Sequence, residues 1–141
     1  MRRNLGADDL GDLLDAPLLA ILATRRADGT TLLSPVWHEW RGGSFWVVIE
    51  ADDVKSRHVR RDPRVSLIVA EQTPPYRSLE ARGNAVLSRP AELGEVVTRI
   101  AVRYLGAARG HAWAQAMDWE GELLQLTPTR TRGWDYRDET A

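Results

Sequence analysis

The sequence predicts a mainly β, α+β fold: an antiparallel barrel with peripheral helices. Three observations carry this. Strand-like runs outnumber helical ones along the chain. Neighbouring strand runs are separated by short turn signals, Asp28-Gly29 and Gly42-Gly43, which suit hairpins and not the crossovers of a parallel sheet. The chain has 141 residues, 43% hydrophobic and 28% charged, which is the make-up of one globular domain over 1–141 with its own core.

The elements follow in order. Ala7 to Asp15 carries leucines at 10, 13 and 14, spaced for a short amphipathic helix that Pro17 ends. Leu18 to Thr24 is an apolar run of strand length. After the Asp28-Gly29 turn, Thr30 to Trp40 reads as a second strand. After Gly42-Gly43, Ser44 to Glu50 reads as a third, rich in aromatic and β-branched residues. Asp52 to Arg61 is expected to be helical, with Asp52 as N-cap and Asp62-Pro63 as the stop. Arg64 to Glu71 is a fourth strand and Tyr76 to Ser88 a fifth, with Gly83 marking a bulge or bend. Glu92 to Tyr104 is a helix that Gly106 breaks, and Ala112 to Met117 a short second one. Leu123 to Leu126 opens a last strand that resumes through Gly133-Trp134-Asp135.

Composition narrows the function. A net charge of −1 gives no support for nucleic acid as a partner, because such binders carry a large basic excess. Asp8, Asp9, Asp12 and Asp15 interrupt any apolar signal core after Arg2-Arg3, and the apolar runs are too short to span a bilayer, so no membrane association is expected. There is no cysteine, which excludes disulfides and thiolate metal sites and fits a cytoplasmic location. No nucleophile elbow, Gly-rich phosphate loop or dinucleotide fingerprint is present. The histidines at 38, 58 and 111 lack metal-ligand spacing, so no metal is expected.

Lys55 is the only lysine among 19 lysines and arginines. It falls in the first turn of the helix that follows Asp52. A cation there has the wrong sign for the helix dipole and costs roughly 0.3–1 kcal/mol on an exposed helix. A bound anion between the helix end and the ammonium reverses that sign. The placement suggests a phosphate site assisted by Arg57 or Arg60. The alternative is a solvated basic face on which Asp52 and Asp53 offset Lys55.

Leu33-Ser34-Pro35-Val36-Trp37-His38 is a second constellation. Proline inside a strand implies an edge, bulge or bend. Free backbone groups there can meet the polar edges of a flat heteroaromatic ring, with Trp37 as an apolar wall; the alternative is an edge strand guarded by proline. Thr73-Pro74-Pro75-Tyr76-Arg77-Ser78 is a third: a stiff turn followed by residues able to close over a ligand or a second subunit, or else simply a polar surface turn. The six tryptophans are expected mainly in the core or at a dimer contact.

Taken together, these stretches resemble the pyridoxamine-phosphate-oxidase-like split barrels, and most of all their actinobacterial branch that uses the deazaflavin coenzyme F-420. The resemblance runs from about Leu18 to Trp134. It rests on Leu22-Ala23-Thr24 with Asp28-Gly29, on Ser34-Pro35-Val36-Trp37, and on Gly83 before Ala85-Val86. Its most specific part is Lys55-Ser56-Arg57-His58-Val59-Arg60-Arg61-Asp62-Pro63-Arg64-Val65-Ser66-Leu67.

The resemblance implies a six-stranded antiparallel split β-barrel that forms a homodimer with two cofactor sites at the interface. It implies an F-420-dependent oxidoreductase acting on a small electron-poor molecule. The alternatives are an FMN enzyme of the same fold, or a flavin, deazaflavin or haem carrier without turnover. Ser34, Pro35, Val36, Trp37 and His38 would lie along the ring, Val48, Ile49 and Glu50 would line the same groove, and Lys55 would meet the cofactor phosphate. Arg77 and Ser78, with Tyr76, would reach the site from the partner chain. His38, Glu50 and Tyr76 are the proton-donor candidates. Two departures make oxidation of pyridoxamine phosphate unexpected. Leu33 stands where those oxidases place a phosphate arginine, and their C-terminal motif is replaced by Gly133-Trp134-Asp135-Tyr136-Arg137.

Overall fold

The computed structural model describes residues 1–137. The last four residues of the expected 1–141 domain lie outside the described residues. Among the described residues nine strands form in chain order: β1 (Arg2–Leu5), β2 (Ala20–Arg25), β3 (Thr31–Val36), β4 (Glu39–Arg41), β5 (Ser44–Glu50), β6 (Arg64–Ala70), β7 (Arg77–Ser88), β8 (Gly121–Leu126) and β9 (Arg130–Asp135). Among the described residues the strands are joined by the helices α1 (Val54–Arg61), α2 (Leu93–Leu105) and α3 (Ala107–Ala116). The strands run β3-β2-β6-β7-β8-β5-β4 in one antiparallel sheet, with β9 paired to β7 and β1 to β9. The sheet curls into a half-barrel. β3 and β4 each have a partner on one side only and leave the barrel split between them.

This confirms the expected class and corrects the strand count from six to nine. Thr30–Trp40 is not one strand. It breaks at Trp37-His38, and β3 and β4 end on opposite edges of the sheet. β1 is short and polar; it becomes legible only through β9, where Arg2 pairs with Asp135. Ala7–Asp15 forms two 3₁₀ turns, Ala7–Leu10 and Leu13–Asp15, in place of a helix, because Gly11 takes φ 59° between them. The expected short helix at Ala112 begins five residues earlier, at Ala107.

The long strand β7 serves two halves of the barrel. Its first half pairs with β6 and β9, and its second half, Ala85–Ser88, with β8. The switch falls at Gly83. A Cβ there would sit 2.9 Å from the Thr127 carbonyl oxygen, so only glycine lets the strand bend this close to the β8–β9 connection.

The core is filled by the inward residues of the alternating strands. Phe45, Val47 and Ile49 of β5 point in while Trp46, Val48 and Glu50 point out. Leu10, Leu13 and Leu14 from the 3₁₀ turns cap one end. The α2–α3 hairpin covers the outward face of β5 and β8 through Val96, Ile100 and Leu123, with Trp37, Trp46 and Val48 packed alongside. No helix among the described residues is long and apolar enough to cross a membrane.

Candidate functional site

The groove that collects half of the expected site residues opens beside the split. It has a volume of ≈ 380 Å³, within the range of small-molecule sites. Pro35, Val36 and Trp37 supply one wall from the exposed edge of β3, and Val48, Ile49 and Glu50 supply the floor from β5. Lys55 stands at one end with Asp53. Since β3 pairs only with β2, its outer edge keeps backbone N–H and C=O groups free of a neighbouring strand. Pro35 sits on that edge, opposite Ile21, as the sequence led us to expect.

Lys55 occupies the first turn of α1, but the N-cap is Asp53 and not Asp52, which adopts φ 64°. The side chain is mostly buried, and its ammonium lies 3.1 Å from the Asp53 carboxylate. Asp53 therefore offsets Lys55, and an anion would join that pair or displace its carboxylate. α1 itself is fixed on two sides. Ser56 Oγ and Arg60 each donate to the buried Glu122 of β8 at 2.6 Å. On the other side Thr24 Oγ1 of β2 lies 3.0 Å from His58 Nδ1. The lysine thus rides on an anchored helix and needs little reorganisation to meet a ligand.

Behind the groove the Trp37 wall continues into an aromatic stack. Trp37 stacks on Tyr104 with ring centroids 5.0 Å apart and planes within 8°. Trp113 of α3 packs on Trp37 at 5.1 Å, and Trp119 meets Trp113 edge-on at 6.3 Å. Trp113 and Trp119 line the groove and were not among the expected site residues. The only sequence signal for them was the high tryptophan count. Beneath them, Trp37, Val48, Ile100 and Met117 enclose a small apolar recess of ≈ 30 Å³.

His38 is placed differently from the sequence expectation. Its ring is fully buried and faces Phe45 at 5.7 Å and Tyr104, away from the groove. Its Nδ1 lies 3.1 Å from the Tyr104 hydroxyl, and its Nε2 has no partner among the described residues. Burial, followed by the nearby Arg103 charge, lowers its pKa from 6.5 to about 4. A neutral core imidazole cannot serve as the groove's proton donor. Its role is structural. The His38 N–H donates to Tyr104 Oη at 3.0 Å, and that hydroxyl donates to the Leu18 carbonyl at 2.7 Å. Arg103 donates to the carbonyls of His38, Leu14, Asp15 and Ala16. These bonds hold the β3–β4 break that presents Trp37.

Tyr104→Phe tests this frame. It leaves the buried His38 N–H without an acceptor, at a cost of about 1–3 kcal/mol. Urea denaturation should show that loss, while ligand affinity of the groove stays near wild type because the Trp37 stack is kept.

The remaining candidates lie outside the groove. Ser34 sits on β3 opposite Leu22, one position before the lining residues. Arg57 donates to the Asp52 carbonyl, and Arg60 is spent on Glu122 and Asp52. Arg77 makes a two-point ion pair with Glu71 and another with Asp12, and donates to the Leu10 carbonyl. It ties β7 to the N-terminal turns. Ser78 pairs with Ala70 and Trp134 in the sheet, and Tyr76 is exposed just before β7.

The nine-stranded half-barrel, with a groove of small-molecule size against its split edge, sets the fold class of this chain. Residues 7–135 match the family model described as pyridoxamine 5'-phosphate oxidase, and the chain belongs to that family. No curated protein matches the sequence. Among solved structures, an F420 reductase is 27% identical, covering 85% of this chain and 93% of its own, with a TM-score of 0.69. The conserved hypothetical protein Rv2991 of Mycobacterium tuberculosis is 24% identical, covering 96% and 88%, with a TM-score of 0.78. A FAD and haem binding protein of Mycobacterium smegmatis shares the fold at 14% identity and a TM-score of 0.72, covering 96% and 73%. A flavin-related oxidoreductase family is therefore the setting of this chain.

Proposed function

We propose that the protein is an F-420-dependent reductase that passes a hydride to a small electron-poor acceptor, such as a conjugated double bond. The observation that carries this is the groove itself. A flat apolar wall and a free strand edge lead directly to one anchored ammonium, which is the donor set a tricyclic ring with a phosphate-bearing chain requires. When bound, the deazaflavin supplies the hydride chemistry. The protein's own residues orient and exclude water. Val36, Trp37 and Val48 would lie against the ring, the β3 edge would meet its polar rim, and Lys55 would hold the phosphate.

Of the three proton-donor candidates, Glu50 alone lines the groove. Asp53 is occupied by Lys55, so Glu50 is the candidate we assign to proton delivery.

A homodimer completes this reading. The groove is open on one side, and the outward sheet face next to it leaves Leu33 64% exposed. Ile21 and Ile68 lie paired on that same face. A second copy on this face would cover them and bring its own Tyr76–Ser78 strand end toward the groove. Leu33 at the position of the oxidases' phosphate arginine favours the deazaflavin over FMN and over pyridoxamine phosphate as substrate.

The test is steady-state turnover with reduced F-420 and a cyclic enone. Consumption of reduced cofactor that depends on the acceptor is the expected result. Tight cofactor binding with no turnover across an acceptor series would make the protein a carrier. Turnover with reduced FMN alone would move the assignment to the flavin.

A further inference from the structure

We propose that the protein has a second anion site, separate from the groove, in which Arg25, Arg64, Arg82 and Arg130 hold a small oligoanion such as a di- or triphosphate. The inference does not depend on which cofactor the groove holds, and it requires the second copy proposed above to leave the Arg25–Thr31 end of the outward face open.

The four arginines line one concavity of ≈ 360 Å³ on the outward sheet face, at the opposite end of the β2–β3 hairpin from Pro35. They come from four strands that lie side by side in the order β2-β6-β7-β9. Adjacent strands are about 4.8 Å apart, so the outer two backbones are separated by roughly 14 Å. A span of that size suits an anion with two or three charged groups, gripped by guanidinium forks that match phosphate oxygens. Ser66 and Asn84, between the arginines, add neutral donors.

No carboxylate lines this concavity. Asp62 pairs closely with Arg64, at 2.8 Å, and acts on Arg25 only at longer range. Glu80 approaches Arg82 no nearer than 3.8 Å. Arg25 and Arg130 make no ion pair among the described residues. This concentration of positive charge stands out in a chain of net charge −1.

The strand register supplies a second, independent observation. Arg82 and Arg130 are direct cross-strand partners on β7 and β9. Like charges so placed destabilise a sheet unless an anion lies between them. The neighbouring pair on the same two strands, Glu80 with Arg132, has opposite signs and needs no such ligand. The floor of the site is also rigid. Gly83 bends against the Thr127 carbonyl, and the Thr129 N–H donates to the Arg82 carbonyl at 2.9 Å.

The experiment is calorimetric titration of the intact protein with inorganic tripolyphosphate, in wild type, in Arg25→Gln/Arg130→Gln and in Lys55→Ala. Wild type should bind saturably, more tightly than it binds sulfate, and more weakly as salt is raised. The double variant should lose at least tenfold in affinity, and Lys55→Ala should keep wild-type affinity. Without anion at low salt, the double variant should melt no lower than wild type, since it relieves like-charge repulsion. Absence of saturable binding to wild type would overturn the proposal. So would loss of binding in Lys55→Ala with retention in the double variant, because the anion would then sit in the groove. A changed oligomeric state of the double variant on size exclusion, with no anion binding by wild type, would assign the arginines to a second copy's carboxylates and equally overturn it.

Discussion

Lys55→Ala is expected to weaken cofactor binding by tenfold to over a hundredfold and to leave the fold intact. A charge-assisted hydrogen bond to a phosphate contributes about 1.5–3 kcal/mol, which corresponds to that range of affinity. The fold should survive because α1 is anchored by Ser56, His58 and Arg60, none of which involves the lysine. Removing the ammonium also removes a cation of unfavourable sign from the first helical turn and frees Asp53. The variant should therefore unfold at the same denaturant concentration as wild type, or slightly later, while its cofactor dissociation constant rises. Equal affinity in the two proteins would place the phosphate elsewhere.

Stability should fall as pH drops from about 6.5 to about 4, and His38 should account for a contribution on the order of 3 kcal/mol. Burial holds the folded imidazole at about 4, against 6.5 when exposed. Between those values the unfolded chain takes up a proton that the folded chain refuses, so lowering the pH favours unfolding. Each pKa unit is worth about 1.4 kcal/mol. The contribution is complete above the unfolded value and is gone below the folded one. His58 is shifted in the same direction, chiefly by burial, so the comparison must be made against a variant. Denaturant melts of wild type and His38→Phe across pH 4 to 7 should diverge in slope, with the variant flatter. Parallel slopes would mean that the ring is hydrated and not held in the core.

The fold class and the lysine helix were readable because local chemistry determines them. Ser44–Glu50 is rich in aromatic and β-branched residues and forms a strand with those bounds, and Asp62-Pro63 stops α1 where expected. Other features depend on distant partners. β1 has no strand signal of its own and exists because β9 offers an edge and Asp135 receives Arg2. The break at Trp37-His38 is held by Tyr104 and Arg103, more than sixty residues away, and its β-rich sequence conceals it. The same break turns His38 inward while Trp37 faces the groove, so adjacent residues of one motif have opposite fates. Trp113 and Trp119 reach the groove only because the α2–α3 hairpin folds back. Gly110 allows this, since a Cβ there would lie 2.5 Å from the Val102 backbone.

The central claim is that the groove between the β3 edge and Lys55 holds a deazaflavin. The most direct measurement is a fluorescence titration of the purified protein with F-420 and, separately, with FMN. Saturable F-420 binding, tighter than FMN binding and weakened by Lys55→Ala, is the predicted result. Failure to bind either cofactor would contradict it, and preference for FMN would replace the deazaflavin with the flavin in the same groove.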